Sequence, residues 1–432
     1  MDAARRVLDA DILVEQGRIA ALSRRTGKHR KALTKPRVID CTGLVIIPGL
    51  VQAHIHLCQT LFRGLADDLA LEDWLAKRIW PLEAAHTEET VYWSALLGAA
   101  ELLLGGTTAI LDMETVRHTG AAFRALEVIG LRATAGKCLM DADSNPAGLR
   151  EPTDRALRDA ADLCARWHGA AQGRLRYCFA PRFVPSCTGP LLRAVSDLAD
   201  RAGAVIHTHA AETPLELELV KRATGRDEIA YLDSMGIAGA RAALAHCVWA
   251  DREAIGLLAR AGTNVVHCPS SNLKLGSGIA PIPEMLAAGC RVALGADGAP
   301  CNNRLDGFEE MRLAALIQKP RLGPQALPAA RVLEIATLGG ARALGLEHEI
   351  GSIELGKRAD LVVLDLSGPH GQPEDSDLVS RIVYSARAAD VRHVMVDGRV
   401  VVRDGRLKTV DWEEIRREAN RAAKRLRRVL RR

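Results

Sequence analysis

The sequence predicts an α/β protein: a (β/α)8, TIM-like barrel with a small β-sandwich built from both chain ends. Three observations predict it. From residue 50 to about residue 350, short apolar runs alternate with helix-patterned stretches. The two ends of the chain instead show strand-like alternation punctuated by hairpin turns. Histidines recur where the apolar runs stop, and a barrel of this kind gathers its strand ends at one mouth. A chain of 432 residues suits one large barrel with a satellite.

Taken in order, residues 1–47 form the first part of the β-domain. "ADILVEQGRIAAL" and "RVIDCTGLVIIPGL" alternate and turn as hairpin strands do. The barrel is expected over residues 48–352. Its strands are Leu50–His56, Ala109–Met113, Leu131–Cys138, Leu175–Pro181, Ala204–His209, Ala242–Cys247, Asn264–Cys268 and Arg291–Asp297. Helices are expected at Thr87–Leu104, Pro152–His168, Pro190–Ala202, Asp251–Ala261 and Pro281–Ala288, several opened by a capping residue or an early proline. The long stretch Leu57–Thr108 has room for a loop, "CQTLFRGLADDLALEDWL", and two helices. Residues 353–410 return to strands, with Asp-Gly turns at Asp397–Gly398 and Asp404–Gly405, and complete the β-domain. Residues 411–432 read as a basic amphipathic helix, with Ile415, Ala419, Ala422, Leu426 and Val429 on one stripe.

Composition narrows the function. Hydrophobic residues are 48% and charged residues 26% of the chain, enough for a sizeable core. No apolar run approaches the roughly 18 residues of a membrane span, and the N-terminus lacks the apolar core of a signal peptide. A cytoplasmic protein is expected. The ten scattered cysteines form no CxxC pair and read as reduced thiols. The net charge of +5 sits in the tail: Glu413–Arg432 carries +6, which leaves −1 for the remaining residues. That tail is expected to pack on the body with its basic face in solvent, so no nucleic-acid partner is expected. The expected partner is a small-molecule substrate; self-association is compatible with the sequence.

The chemistry lies at the strand ends. The first strand ends at His54 and His56, the fifth at His207 and His209 with Glu212 three residues on, the sixth at His246, the seventh at His267 and the eighth at Asp297. Six of the thirteen histidines thus converge on one mouth. Residues two apart on a strand share a face, so His54 and His56 can hold one cation together. A third imidazole from the fifth strand and a carboxylate from the eighth would leave a position for water, an arrangement that suits zinc, iron(II) or manganese. Such an ion lowers the pKa of its water toward neutrality. His207 reads as a core histidine, because His209 lies nearer the strand end. A lone HxH pair would be weak evidence, and Asp297 alone could be a helix cap; it is the convergence that carries the reading.

The motifs "PGLVQAHIHLCQTLFRG", "HTHAAET", "AHCVW", "HCPSSNLKLGSGIAPIPEML", "GADGAPCNN" with "LDGFEEMRLAALIQK", and "ATLGGARALGLEHEIGSIELGKRADLVVLDL" span nearly the whole chain. On them the chain resembles the amidohydrolase superfamily, in its cyclic-amidine aminohydrolase branch. It looks most like the deaminases of 5′-deoxyadenosine, methylthioadenosine and S-adenosylhomocysteine, and the neighbouring triazine hydrolases. The resemblance implies one divalent metal, zinc first with iron(II) or manganese as alternatives, on His54, His56, His209 and Asp297. It implies Glu212 as the acid for the ring nitrogen, His246 as the group orienting the hydroxide, and Asp297 as acceptor of the water proton. Glu83 stands where nucleoside deaminases hold ribose hydroxyls. Arg182 stands where those enzymes have histidine; its Arg-Phe pair resembles guanine deaminases, where the arginine contacts a purine oxygen. Trp74 and Trp80 are candidates for the pocket wall or for the core. Residues before the barrel are about one strand short of what the resemblance implies. The expected reaction is therefore hydrolytic deamination of a 5′-modified adenine nucleoside, with guanine-like, 8-oxopurine or hydroxy-s-triazine rings as the alternative. The H-x-E and PCxxC pattern of cytidine-type deaminases is absent.

Overall fold

The computed structural model describes residues 5–24 and 37–431. Its barrel strands are Leu50–His56, Thr107–Met113, Arg132–Gly136, Leu175–Pro181, Val205–Ala210, Ala242–His246, Asn264–His267 and an eighth strand in two pieces, Arg291–Leu294 and Asp297–Gly298. All neighbours pair in parallel. The split strand closes the ring. Its first piece pairs with the seventh strand, and its second pairs Asp297 with Ile55 and Gly298 with His56 of the first. Gly295, between the pieces, makes this possible: a Cβ there would sit 2.8–2.9 Å from His54 atoms. The near-continuous apolar runs now have their reason, since these parallel strands are covered on both faces.

One expected strand differs. The third ends at Gly136, and Cys138–Leu139 forms a separate piece, both alongside the fourth strand. At Gly136 a Cβ would lie 2.1 Å from the Cys178 carbonyl oxygen, so the two strands approach closely there and the run breaks just beyond it.

Thr87, Thr188 and Asp251 cap their helices by accepting backbone N–H groups from Thr90, Leu191 and Ala254; the helix Thr153–Trp167 starts behind Pro152 with no side-chain cap. The long stretch after the first strand becomes a 3-10 turn, Leu57–Phe62, then continuous helical turns from Leu71 to Ala84 that carry Trp74 over the mouth.

Val45–Pro48 and the strands Leu361–Leu364, Val391–Val396, Arg399–Arg403 and Arg406–Leu407 form one antiparallel five-stranded sheet. The hairpin Ala10–Glu15 with Arg18–Arg24 packs beside it through Ile12, Val14 and Ile19 against Ile353, Ala359 and Leu361. The sandwich is tied to the barrel by Arg132, which donates from Nε to Asp360 at 2.7 Å and from Nη2 at 3.0 Å. The tail forms a helix, Trp412–Leu426, burying Ile415, Ala419, Ala422 and Leu426; Val429, past its end, is exposed. All ten cysteines are free thiols. Among the described residues, no helix is long and apolar enough to cross a membrane.

Candidate active site

The parallel strands bring His54, His56, His209, His246 and Asp297 together at the mouth. Nε2 of His54 and of His56 each lie 3.3 Å from Asp297 Oδ1. Ligand atoms of His54, His56 and Asp297 fall within 4.8 Å of one another, as do those of His54, His209 and His246.

Hydrogen bonds decide which ring nitrogens face this point. His56 Nδ1 is 2.8 Å from the Met113 carbonyl, and His209 Nδ1 is 2.6 Å from that of Arg182. A carbonyl only accepts, so both Nδ1 atoms carry the proton and both Nε2 atoms present lone pairs. His207 Nδ1 donates to the Ala243 carbonyl at 3.2 Å, which leaves its Nε2 to accept from His54 Nδ1 at 2.7 Å. His54 Nε2 is thereby a third lone pair, and it is buried without a partner. Two of these lone pairs, on His56 and His209, are only 3.1 Å apart. Neither can donate to the other, so the contact is repulsive unless a cation lies against both.

Charge leads to the same conclusion. Burial lowers His54 to about 4, lowers His56, and drives His209 well below the ordinary value, so these rings are neutral. Asp297 turns Oδ1 toward the Nε2 lone pairs of His54 and His56, 3.3 Å from each, so negative charge meets lone pairs there. A buried carboxylate among neutral imidazoles calls for positive charge, and the donor set is built for a divalent cation.

Glu212 and His246 stand beside this centre. Burial raises Glu212, against the opposing pull of His246. His246 Nε2 is 3.5 Å from Glu212 Oε2 and 3.9 Å from Asp297 Oδ2; burial lowers the ring, but the two carboxylates outweigh it and raise it. Ala211, His246 and Asp297 all have positive φ, at 51°, 72° and 62°. Such strain in non-glycine residues clusters where side chains must be aimed.

A cavity with about 420 Å³ of empty space, its open mouth included, leads to these groups. Its walls include Leu71, Trp74, Leu75, Phe183 and Leu275, with Gln59, Arg182 and Glu216 among the polar positions. Trp80 and Glu83 do not reach the wall. Trp80 packs instead on the apolar cluster of Met113, Val116, Cys138, Met140, Leu149 and Ala180. Glu83 accepts two hydrogen bonds from Arg182, at 2.7 and 3.2 Å, and one from Gln59 at 2.8 Å, so it stands behind both. His267 ends the seventh strand but lines no part of the cavity. Sequence reasoning did not single out Gln59, Leu75 or Glu216. Their only signal was position, in the loop after the first strand and on the helix after Glu212.

The amidohydrolase family model matches residues 45–401. The chain is 43% identical to a 5-methylthioadenosine/S-adenosylhomocysteine deaminase of Desulforudis audaxviator, over 96% of this chain and 94% of that protein. It is 39% identical to a 5′-deoxyadenosine deaminase of Methanosarcina mazei, over 96% and 93%. The structure of an adenosine deaminase of Xanthomonas campestris with bound zinc superposes with a TM-score of 0.91 at 34% identity, covering 97% of this chain and 94% of that one. Sequence match, barrel and histidine-lined mouth agree: the chain belongs to the amidohydrolase family.

Proposed function

We propose that this protein hydrolytically deaminates a 5′-modified adenine nucleoside, of the 5′-deoxyadenosine, methylthioadenosine or S-adenosylhomocysteine type, and releases ammonia. One observation carries the reading. A buried carboxyl of raised pKa, Glu212, shares a single cavity with a cation-binding cluster and a wall of apolar side chains. Relatives named for these activities cover nearly the whole chain.

The reaction adds water oxygen to the ring carbon bearing the amine. It needs a proton on the adjacent ring nitrogen, an acceptor for the water proton, and a proton for the departing amine. His54, His56, His209 and Asp297 would hold a divalent cation, zinc by preference, and that cation would bring the acidity of water near neutral pH. Glu212, whose carboxyl pKa burial raises, gives its proton to the ring nitrogen and recovers one from the added oxygen as the carbonyl forms. Asp297 takes the water proton and passes it to the amine. His246 lies between the two carboxylates and holds the attacking oxygen on line. Arg182 presents its guanidinium to the substrate, and Glu83 fixes that guanidinium from behind. The apolar wall from Leu71 to Leu75 suits the ring face and an uncharged 5′ group. Ten free thiols support a cytoplasmic setting.

The test is to incubate zinc-loaded protein with the three nucleosides and follow the adenine-to-hypoxanthine absorbance change. Turnover is expected on at least one, and Glu212→Gln should abolish it with metal content unchanged. Ammonia release from guanine-like or hydroxy-triazine rings alone would replace the nucleoside reading with the second one, which Arg182 in the cavity wall favours.

A further inference from the structure

The three acid–base groups come from three different places: Glu212 follows the fifth strand, His246 ends the sixth and Asp297 belongs to the eighth. Each nevertheless has a hydrogen bond to the one segment that follows the seventh. Ser271 Oγ donates to Asp297 Oδ2 at 2.6 Å. Asn272 Oδ1 accepts from His246 Nδ1 at 2.8 Å. Ser277 Oγ donates to Glu212 Oε1 at 3.1 Å. All three side chains are buried.

The segment is rigid by its own bonding. Pro269–Lys274 is a short helical turn, and the Asn272 carbonyl accepts the N–H groups of Ser277 at 2.9 Å and Gly278 at 3.4 Å. Positions 272 and 277 are therefore locked to each other. Gly278 has φ 128°, and a Cβ there would meet Val248 Cγ1 at 2.9 Å. The outer side is tied down as well. Glu310 accepts both the N–H and the hydroxyl of Ser270, and Trp249 Nε1 donates to the Ser277 carbonyl at 2.8 Å.

The bonds select atoms as well as positions. Ser271 occupies Asp297 Oδ2, while Oδ1, which accepts the Gly298 N–H at 2.7 Å, faces His54 and His56. Asn272 keeps a proton on His246 Nδ1 and turns Nε2 toward Glu212 and Asp297. Ser277 occupies Glu212 Oε1 and leaves Oε2 toward His246.

We infer that Ser271, Asn272 and Ser277 are positioning residues, one segment that aims all three acid–base groups of the hydrolysis; this rests on the deaminase reading above. The experiment compares zinc-loaded wild type with Ser271→Ala, Asn272→Ala and Ser277→Ala, and with Ser271→Thr and Ser277→Thr. It reads kcat and KM separately, metal retained after dialysis against a chelator, and the melting midpoint. Each alanine variant is expected to lose about 10- to 100-fold in kcat with KM changed far less, the range usual for groups that orient a metal site from outside. The threonine variants, which keep the hydroxyl, are expected to recover much of that loss. Ser271→Ala alone is expected to release metal faster. Unchanged kcat in the alanine variants would overturn the inference, as would losses that follow the melting midpoint and are not recovered by threonine. If the wild type deaminates no adenine nucleoside, that reading fails. The chelator arm still decides the role of Ser271: faster metal loss supports it and equal loss overturns it.

Discussion

His54 and His207 meet ring to ring: Nδ1 of the first is 2.7 Å from Nε2 of the second, and the pair ends on the Ala243 carbonyl. His207 thus sets the tautomer of a residue that faces the candidate cation site, without facing that site itself. His207→Phe should weaken metal binding about 10- to 100-fold while His54 stays in place. A zinc titration against a competing chelator measures this, and unchanged affinity would refute the relay.

The 3.1 Å approach of two lone pairs, on His56 and His209, predicts that the cation stabilises the fold. At free metal about 100 times its Kd the gain is about 2.7 kcal/mol. Stripping the metal should lower the melting midpoint, and adding it back should restore it. His209→Ala should remove that response.

Arg182 and Glu83 are a buried, doubly bonded ion pair. Burial would raise Glu83, but Arg182 outweighs it and holds the carboxyl below its usual value. Arg182→Met alone leaves that charge unpaired and should cost about 3–5 kcal/mol. Adding Glu83→Gln should return most of the stability but not substrate affinity. Urea unfolding and KM, measured side by side, separate the two effects.

His86 is buried between Thr90 Oγ1 and the Cys58 carbonyl, each at 2.8 Å, and burial lowers it from 6.5 to about 4. Below about pH 6.5 the unfolded chain binds a proton that the native ring refuses until about pH 4. Its stabilising contribution is therefore complete above 6.5 and falls as the pH drops through that window, by about 3 kcal/mol in all. His86→Gln should lose less stability than wild type between pH 7.5 and 4.5, read from urea midpoints at both.

Much of this was legible because strand periodicity is local. Two-residue spacing puts His54 and His56 on one face whatever surrounds them. The C-terminal ends of parallel strands share one side of a barrel, so His209, His246 and Asp297 had to meet there. The capped helices and the tail stripe of Ile415, Ala419, Ala422 and Leu426 follow from the same short-range rules. Periodicity left Trp74 and Trp80 open between pocket and core, because it shows that a side chain is apolar, not which apolar surface it meets; Trp74 lines the cavity and Trp80 packs in the core.

By itself, then, the sequence determined the order of strands and helices, the mouth where the chemistry sits, and the residue types gathered there. Only the tertiary structure decided the pairings. Glu83 is bound by Arg182, 99 positions away, and Glu212 by Ser277, 65 positions away. The protons of His54, His56 and His209 are placed by carbonyls or a ring on, or just beyond, other strands. The physical reason is one of range. Side-chain direction along a strand is set by neighbouring residues, whereas a buried charge or tautomer answers to whatever the closed barrel packs against it.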